Sequence, residues 1–415
     1  MKTFWRALRY SIITAVLLII LALVVISISF SRLSFTDEFV VTEDYSHLYP
    51  DSYSSARERF RNLSIDLSNR YTGVDIQEVR VPSAIDNDLT VGICHIPAQA
   101  EPKNLIVVIS GVHGVEAYAG HAAQELFVDQ FINDDLLANT GVMLIHSVNP
   151  YGFKYTRRVT ENNVDLNRNS PSTDNLFATV NEGYPQVYDL VNPSGEAKPS
   201  SLGNRFFFLK AINEIRKASM PVLRQAVLQG QYLYPEGLYF GGFKAEPQID
   251  SLKPVITNIA QPYQRVMAID FHTGYGERGK LHFFPNPMEG EAKQQLEKLY
   301  EGYTIDWGDS DDFYTVTGEF VGFMGEILKD KEFFPMVYEF GTLNSQTTMG
   351  SLKSIHLMIL ENQGHQHGYA STKDSLKVKA DHLEMYAPES ASWRSYVMDQ
   401  TKEVYSNVIP RFLSW

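Results

Sequence analysis

The stretch VVISGVHGVEAYAGHAAQ, residues 107–124, sets His113 and Glu116 three residues apart in a glycine-bounded turn between an apolar run and a helical pattern. Imidazole nitrogens and carboxylate oxygens both ligate zinc, and a zinc ion that does chemistry takes three protein ligands and keeps one position for water. An H-x-x-E pair supplies two of the three. The third should come from another strand end, where an α/β sheet converges its side chains. His272 in AIDFHTG fits, 156 residues after Glu116 and just before a glycine turn. Alone, H-x-x-E is a weak signal, because a hydrogen-bonded histidine at a helix start explains His113 as well.

A second polar group follows the next apolar run. HSVNPYGFKYTRRVTENNVDLNRN (146–169) gathers Arg157, Arg158, Asp165, Asn167 and Arg168. A guanidinium fork matches a carboxylate bidentately, so such crowding at a strand's exit points to carboxylate recognition. A solvated loop with ordinary charges is the alternative.

Taken together, H-x-x-E, N-P-x-G, an Arg seven residues before D-L-N-R, a distant His and a Glu on a late strand resemble the zinc carboxypeptidase family, over residues 104–342. The resemblance implies one Zn2+ per chain, held by His113, Glu116 and His272. It implies that Asp165 supports the first histidine, fixing its tautomer and raising its basicity. Asn167 and Arg168 would grip the substrate's terminal carboxylate. Arg158 would polarise the scissile carbonyl and stabilise its oxyanion, with the adjacent Arg157 as competitor for that role and a further substrate-binding candidate. Glu339 in VYEFGT would be the general base. For the family's phenolic tyrosine the candidates are Tyr239 and Tyr314.

EFGT, GQYLYPEGLYFGG (230–242) and the segment 170–204 depart from digestive carboxypeptidases and look more like an uncharacterised, mostly bacterial branch of the superfamily. These departures bear on specificity rather than on metal chemistry. The expected activity is hydrolysis of an amide next to a free carboxylate, on a peptide or an N-acyl amino acid. An N-acyl amino acid deacylase of the same superfamily is the near alternative. A non-catalytic binding protein on this fold is the distant one, disfavoured because His113, Glu116, His272 and Glu339 are all present.

The elements that must position these residues are legible. NLIVVIS (104–110) is the continuous apolar run of a strand buried on both faces. Helical periodicity follows over 116–132, then a strand at 141–150, which makes a βαβ unit and a largely parallel sheet. Further strands are expected at 89–98, 264–276, 280–286 and 336–342. Helices are expected at 51–71, 205–228, 289–301, 347–363 and 391–409, with a long loop at 170–204. The fold class is α/β, a mostly parallel mixed central sheet flanked by helices, preceded by one N-terminal transmembrane helix.

That helix rests on 22 uncharged residues, 10–31, preceded by Lys2, Arg6 and Arg9 and followed by Arg32. About 20 apolar residues at ~1.5 Å each cross a hydrocarbon core of roughly 30 Å. The basic flank keeps the N-terminus cytoplasmic and makes a single-pass protein with an extracytoplasmic domain, periplasmic or extracellular. A cleaved signal peptide is the competing reading. The chain thus divides into a cytoplasmic stub and anchor (1–32), a stalk or lead-in helix (33–75) and a catalytic domain (76–415).

Composition excludes other classes. The net charge is -13, and residues 32–415 carry 33 bases against 49 acids, which argues against nucleic acid as a partner. Cys94 is the single cysteine, so neither an intrachain disulfide nor a multi-thiolate zinc site can form. GYGERG (274–279) has the glycine spacing of a dinucleotide turn, but the strand-like KLHFFPN follows it where a helix is required. No dinucleotide is expected. His365 and His367 in GHQHGY read as a surface turn. No G-x-S-x-G elbow offers a serine nucleophile.

Overall fold

The computed structural model describes residues 2–31, 35, 37, 39–307 and 316–415. Arg32, the basic flank of the apolar run, and Tyr314 lie outside the described residues. Seven strands form one mixed sheet: β1 (Asp75–Arg80), β2 (Thr90–Ile96), β3 (Asn104–Ser110), β4 (Thr140–His146), β5 (Arg265–Gly274), β6 (Leu281–Phe284) and β7 (Glu332–Gly341). Their order is β1-β2-β4-β3-β5-β7-β6. The central four, β4, β3, β5 and β7, run parallel, while β1, β2 and β6 pair antiparallel at the two sides.

The sequence reason is direct. Every residue of β3 and β4 is buried, as apolar runs sandwiched between helices must be. β1, absent from the sequence expectations, reads DIQEVR and buries no residue fully. An edge strand needs no apolar face, and so leaves no periodic signal.

Two other expectations are corrected. The supposed loop 170–204 contains the helix Tyr184–Val191, whose Tyr184 is buried and donates to the Leu238 carbonyl at 2.8 Å. The stretch 205–228 is two helices, Phe207–Ala218 and Met220–Leu228. They break at Ser219, in the left-handed region at φ 81°, with Pro221 in the first turn of the second helix. Proline fits a first turn because the amide it lacks would have no partner there.

Helices cover both faces of the sheet. Tyr53, Ala56, Phe60 and Leu67 of the helix Tyr53–Arg70 join the same core as β2–β5, so the lead-in helix packs into the domain. At the C-terminal side, Trp393, Val397, Val404 and Phe412 of the helix Ala391–Leu413 are buried in that core too. The helix Lys2–Ser31 stands at the N-terminus, and its segment Phe4–Phe30 is long and apolar enough to cross a membrane.

Candidate active site

The parallel strands deliver their C-terminal ends to one edge, where open α/β sheets bind ligands. β3 ends at Ser110, and the chain turns through Gly111 (φ 69°) into His113 and Glu116. A Cβ at Gly111 would meet the Cβ of Ala117 at 2.8 Å, so glycine serves both the turn and the tight return. β4 ends at His146 and leads into N-P-x-G. The two turns are stitched together: the amides of Gly114 and Val115 donate to the carbonyls of Arg158 and Arg157 at 3.1 and 2.9 Å. A side chain at Gly114 would sit 2.2 Å from the Gly152 backbone. The glycine at position 114 therefore lets one turn lie directly on the other.

β5 and β7 pair so that His272 stands beside Glu339. Ligand atoms of His113, Glu116 and His272 all lie within 4.8 Å of one another, and the three side chains are buried. His113 Nδ1 is 3.0 Å from Glu116 Oε1, His272 Nδ1 is 2.9 Å from Glu116 Oε2, and the two Nδ1 atoms are 3.0 Å apart. The outer nitrogens explain that orientation. His113 Nε2 lies 3.0 Å from Asp165 Oδ1, and His272 Nε2 lies 2.9 Å from Asp270 Oδ2. Donation to these carboxylates holds each Nε2 proton outward and turns both Nδ1 atoms inward. Two imidazole nitrogens and a carboxylate oxygen then face one point, a donor set suited to a zinc-like cation.

The charges around the cluster agree. Glu116, Asp165 and Asp270 are three buried carboxylates. Arg158 donates to Glu116 Oε1 at 3.0 Å and to Asp165 Oδ2 at 3.1 Å. One guanidinium against three carboxylates leaves two negative charges, which a divalent cation matches. Burial alone would lower His272, but Asp270 and Glu116 hold it well above the usual imidazole range. Asp165 is opposed by its burial, yet Arg158 and His113 hold it well below the usual carboxylate range.

A cavity of about 120 Å³ opens beside the cluster, with His113, His272, Arg158, Asn167, Arg168 and Glu339 all in its wall. Glu339 Oε1 accepts from the Tyr275 amide at 2.8 Å. Burial, together with the charge of Glu116, pushes Glu339 up to about 8. Asn167 Oδ1 accepts from the Phe320 amide at 2.9 Å, which holds the side chain in place. Arg168 donates twice to the Leu228 carbonyl, at 3.1 and 2.6 Å, capping the end of the helix Met220–Leu228. It also stands 5.5 Å over the Tyr239 ring, and Arg158 stands 5.3 Å over the same ring.

Arg157 is not part of this group. Its guanidinium points the other way, to Glu361 Oε1 at 3.0 Å and Asn163 Oδ1 at 3.0 Å, and it does not line this cavity. The structure therefore does not place it with the other residues expected to bind substrate: the buried carboxylate of Glu361 draws the guanidinium away.

Several residues of the site escaped the sequence reading. Asp270 lies two residues before His272 on β5, so the two share a face. The D-x-H spacing in AIDFHTG was the available signal. Glu319, Tyr275 and Tyr386 also line the cavity. Burial pushes Glu319 up to about 7. None of these three carries a local motif. Of the two candidate tyrosines, Tyr239 lines the cavity. The histidines set aside from the sequence sit elsewhere: His365 and His367 end an exposed helix turn.

Comparison with known proteins finds similar solved structures. No curated protein sequence matches the chain. Bovine thrombin-activatable fibrinolysis inhibitor, solved with tick carboxypeptidase inhibitor, is similar at 13% identity and a TM-score of 0.42, covering 86% of this chain and 99% of that one. Carboxypeptidase A from Helicoverpa armigera is similar at 13% identity and a TM-score of 0.40, covering 81% and 74%. A family model described as "Protein of unknown function (DUF2817)" matches residues 49–400, and with that span the chain belongs to the DUF2817 family.

Proposed function

We propose that the chain is a membrane-anchored, zinc-dependent hydrolase of the carboxypeptidase type, cleaving an amide bond beside a free carboxylate. The observation that carries this reading is the convergence of His113, Glu116 and His272 in the wall of a cavity that also holds Glu339, Arg158, Asn167 and Arg168. Zinc bound by the first three would supply Lewis acidity, polarising the scissile carbonyl and activating water near neutral pH.

The remaining steps belong to the chain's own groups. Glu339, in register with His272, takes the proton of the attacking water and passes it to the leaving amine. A carboxyl pushed up to about 8 is suited to both halves of that exchange near neutrality. Arg158 lines the cavity as a fixed cation and meets the charge that grows on the carbonyl oxygen, a contribution worth a few kcal/mol. Its bonds to Glu116 and Asp165 hold it in place before substrate arrives. Asn167 and Arg168 receive the terminal carboxylate. Asp165 and Asp270 keep both imidazoles turned inward.

Leu228, Ile355, Met358 and Met385 add apolar wall to the same cavity. That surface suits an apolar side chain or an acyl group, so both a peptide C-terminus and an N-acyl amino acid remain substrates to test. The deciding experiment measures metal content of the purified full chain together with hydrolysis of free peptides and of N-acylated amino acids. One zinc per chain with release of a C-terminal residue is expected. A metal-free chain that does not take up zinc would overturn the reading.

The helix Lys2–Ser31 supplies the anchor. Phe30, near its end, is buried to 1% exposure against the rings of Phe207, Phe208 and His356. Cleavage of this segment would strip a side chain out of the domain's second core cluster, which favours a retained anchor over a removed leader.

A further inference from the structure

We infer that the helix Phe207–Ala218 and its flanks form a docking surface for the anionic headgroups of the bilayer that the N-terminal helix crosses, an inference that rests on that helix being a retained anchor.

Position argues first. Phe30 closes the apolar span Phe4–Phe30, so it lies where the chain leaves the hydrocarbon. Its ring is 6.4 Å from that of Phe207 and 5.3 Å from that of Phe208, and Lys353 Nζ stands 5.7 Å from the centre of the Phe30 ring. Ser27, one turn earlier, is also buried. The helix Phe207–Ala218 is therefore fixed beside the exit point, at the depth of the membrane surface.

Charge argues next. Residues 201–222 hold four bases, Arg205, Lys210, Arg216 and Lys217, and one acid, Glu214, in a chain of net charge -13. All four bases are exposed. The helix buries Phe207 and Ala211 inward and turns Lys210, Ile212, Arg216 and Lys217 outward. Next to it, Leu202 is 72% exposed and Val222 is 56% exposed. Bases mixed with isolated aliphatic side chains on an amphipathic helix match the interfacial zone of a membrane. In a chain of net charge -13, such a patch favours turning this face toward an anionic bilayer.

Orientation has a consequence for the cavity. The helix Met220–Leu228, which follows this surface, carries Arg224 and Leu228 in the cavity wall. On the helix Thr348–His367, Ile355 lines the cavity while its neighbour His356 stacks on Phe207 at 4.4 Å. One layer of helix separates the docking surface from the site.

The test uses the full chain carrying Cys94→Ser, with Ile212→Cys labelled by an environment-sensitive fluorophore. The protein is reconstituted in phosphatidylcholine vesicles containing phosphatidylglycerol. The expected result is a blue-shifted emission at 212 and loss of quenching by aqueous acrylamide. The same label at Leu376→Cys, on an exposed position of the helix Thr372–Tyr386, should stay quenchable. Charge reversal, K210E with R216E and K217E, should restore quenching at 212. Equal quenching at 212 and 376 in a chain that resists alkaline extraction would overturn the docking surface alone. Extraction by alkali would overturn the anchor, and the docking with it.

Discussion

Arg158 and Arg157 are neighbours in the chain and head two buried polar clusters that differ in kind. Around Arg158, two imidazole nitrogens and a carboxylate point at one another beside an open cavity, and negative charge is left over. Around Arg157, the partners are side chains of the cluster itself: Glu361 accepts from Arg157 at 3.0 Å and from Lys379 at 2.6 Å, and Nη2 of Arg157 donates to Asn163 and Asn362. Burial opposes it, but the two cations hold Glu361 below the usual carboxylate range. The cavity beside it is about 20 Å³, room for little more than a water. An ionic cluster whose charges turn to one another specifies packing. One that converges ligand atoms on a gap calls for something from outside.

The sharpest way to break this contrast is to remove a ligand. His272→Ala should lose the metal and lower hydrolysis by about 10³-fold or more, since Lewis-acid stabilisation is worth several kcal/mol and about 1.4 kcal/mol is tenfold. Metal analysis beside an activity assay checks it, and a chelator followed by added zinc should reproduce the loss and its recovery in the wild type. Next, Glu339→Gln should keep the metal and lower turnover by ~10²–10⁴-fold, the usual range for a general base. Wild-type turnover in that variant would reassign the proton transfer.

The arginine pair tests the comparison itself. Arg158→Met should cost ~10²–10³-fold in kcat, as loss of one oxyanion donor does. Arg157→Met should leave kcat near wild type and instead lower unfolding stability by about 3 kcal/mol, the low end for a broken buried pair because Lys379 still faces Glu361. Equal kinetic effects of the two substitutions would erase the distinction drawn between the clusters.

The effect smallest near neutral pH concerns His382, in the wall of the 20 Å³ cavity with both ring nitrogens lacking partners among the described residues. Burial pushes it down to about 4 from 6.5. The unfolded chain therefore binds the proton first as pH falls, so this group's destabilising influence grows from about pH 6.5 to pH 4 and is absent above. Integrated fully, that is on the order of 3 kcal/mol. His382→Leu should flatten this portion of the stability–pH curve, read by denaturant unfolding at several pH values, with little change at pH 8.

How much was legible beforehand follows the range of the forces involved. The buried strands announced themselves as apolar runs, and H-x-x-E announced a pair of ligands because a turn fixes two side chains three residues apart. β1 did not, since an edge strand with no buried face has no pattern to show. Asp270 could have been read from its two-residue spacing to His272, but Glu319, Tyr275 and Tyr386 reach the cavity only through folding. The choice between two adjacent arginines was equally out of reach.

Amino-acid order by itself determined which groups were available: the ligand types, their spacing in the first turn, an apolar span and an acidic exterior. Tertiary structure decided which of them meet. Strand register sets Glu339 beside His272, Asp165 and Asp270 choose the imidazole tautomers, and Glu361 draws Arg157 away from the site. Turn geometry acts over a few residues, whereas the direction of a buried charge is set by partners that lie, in the case of Glu361, 204 residues further along the chain.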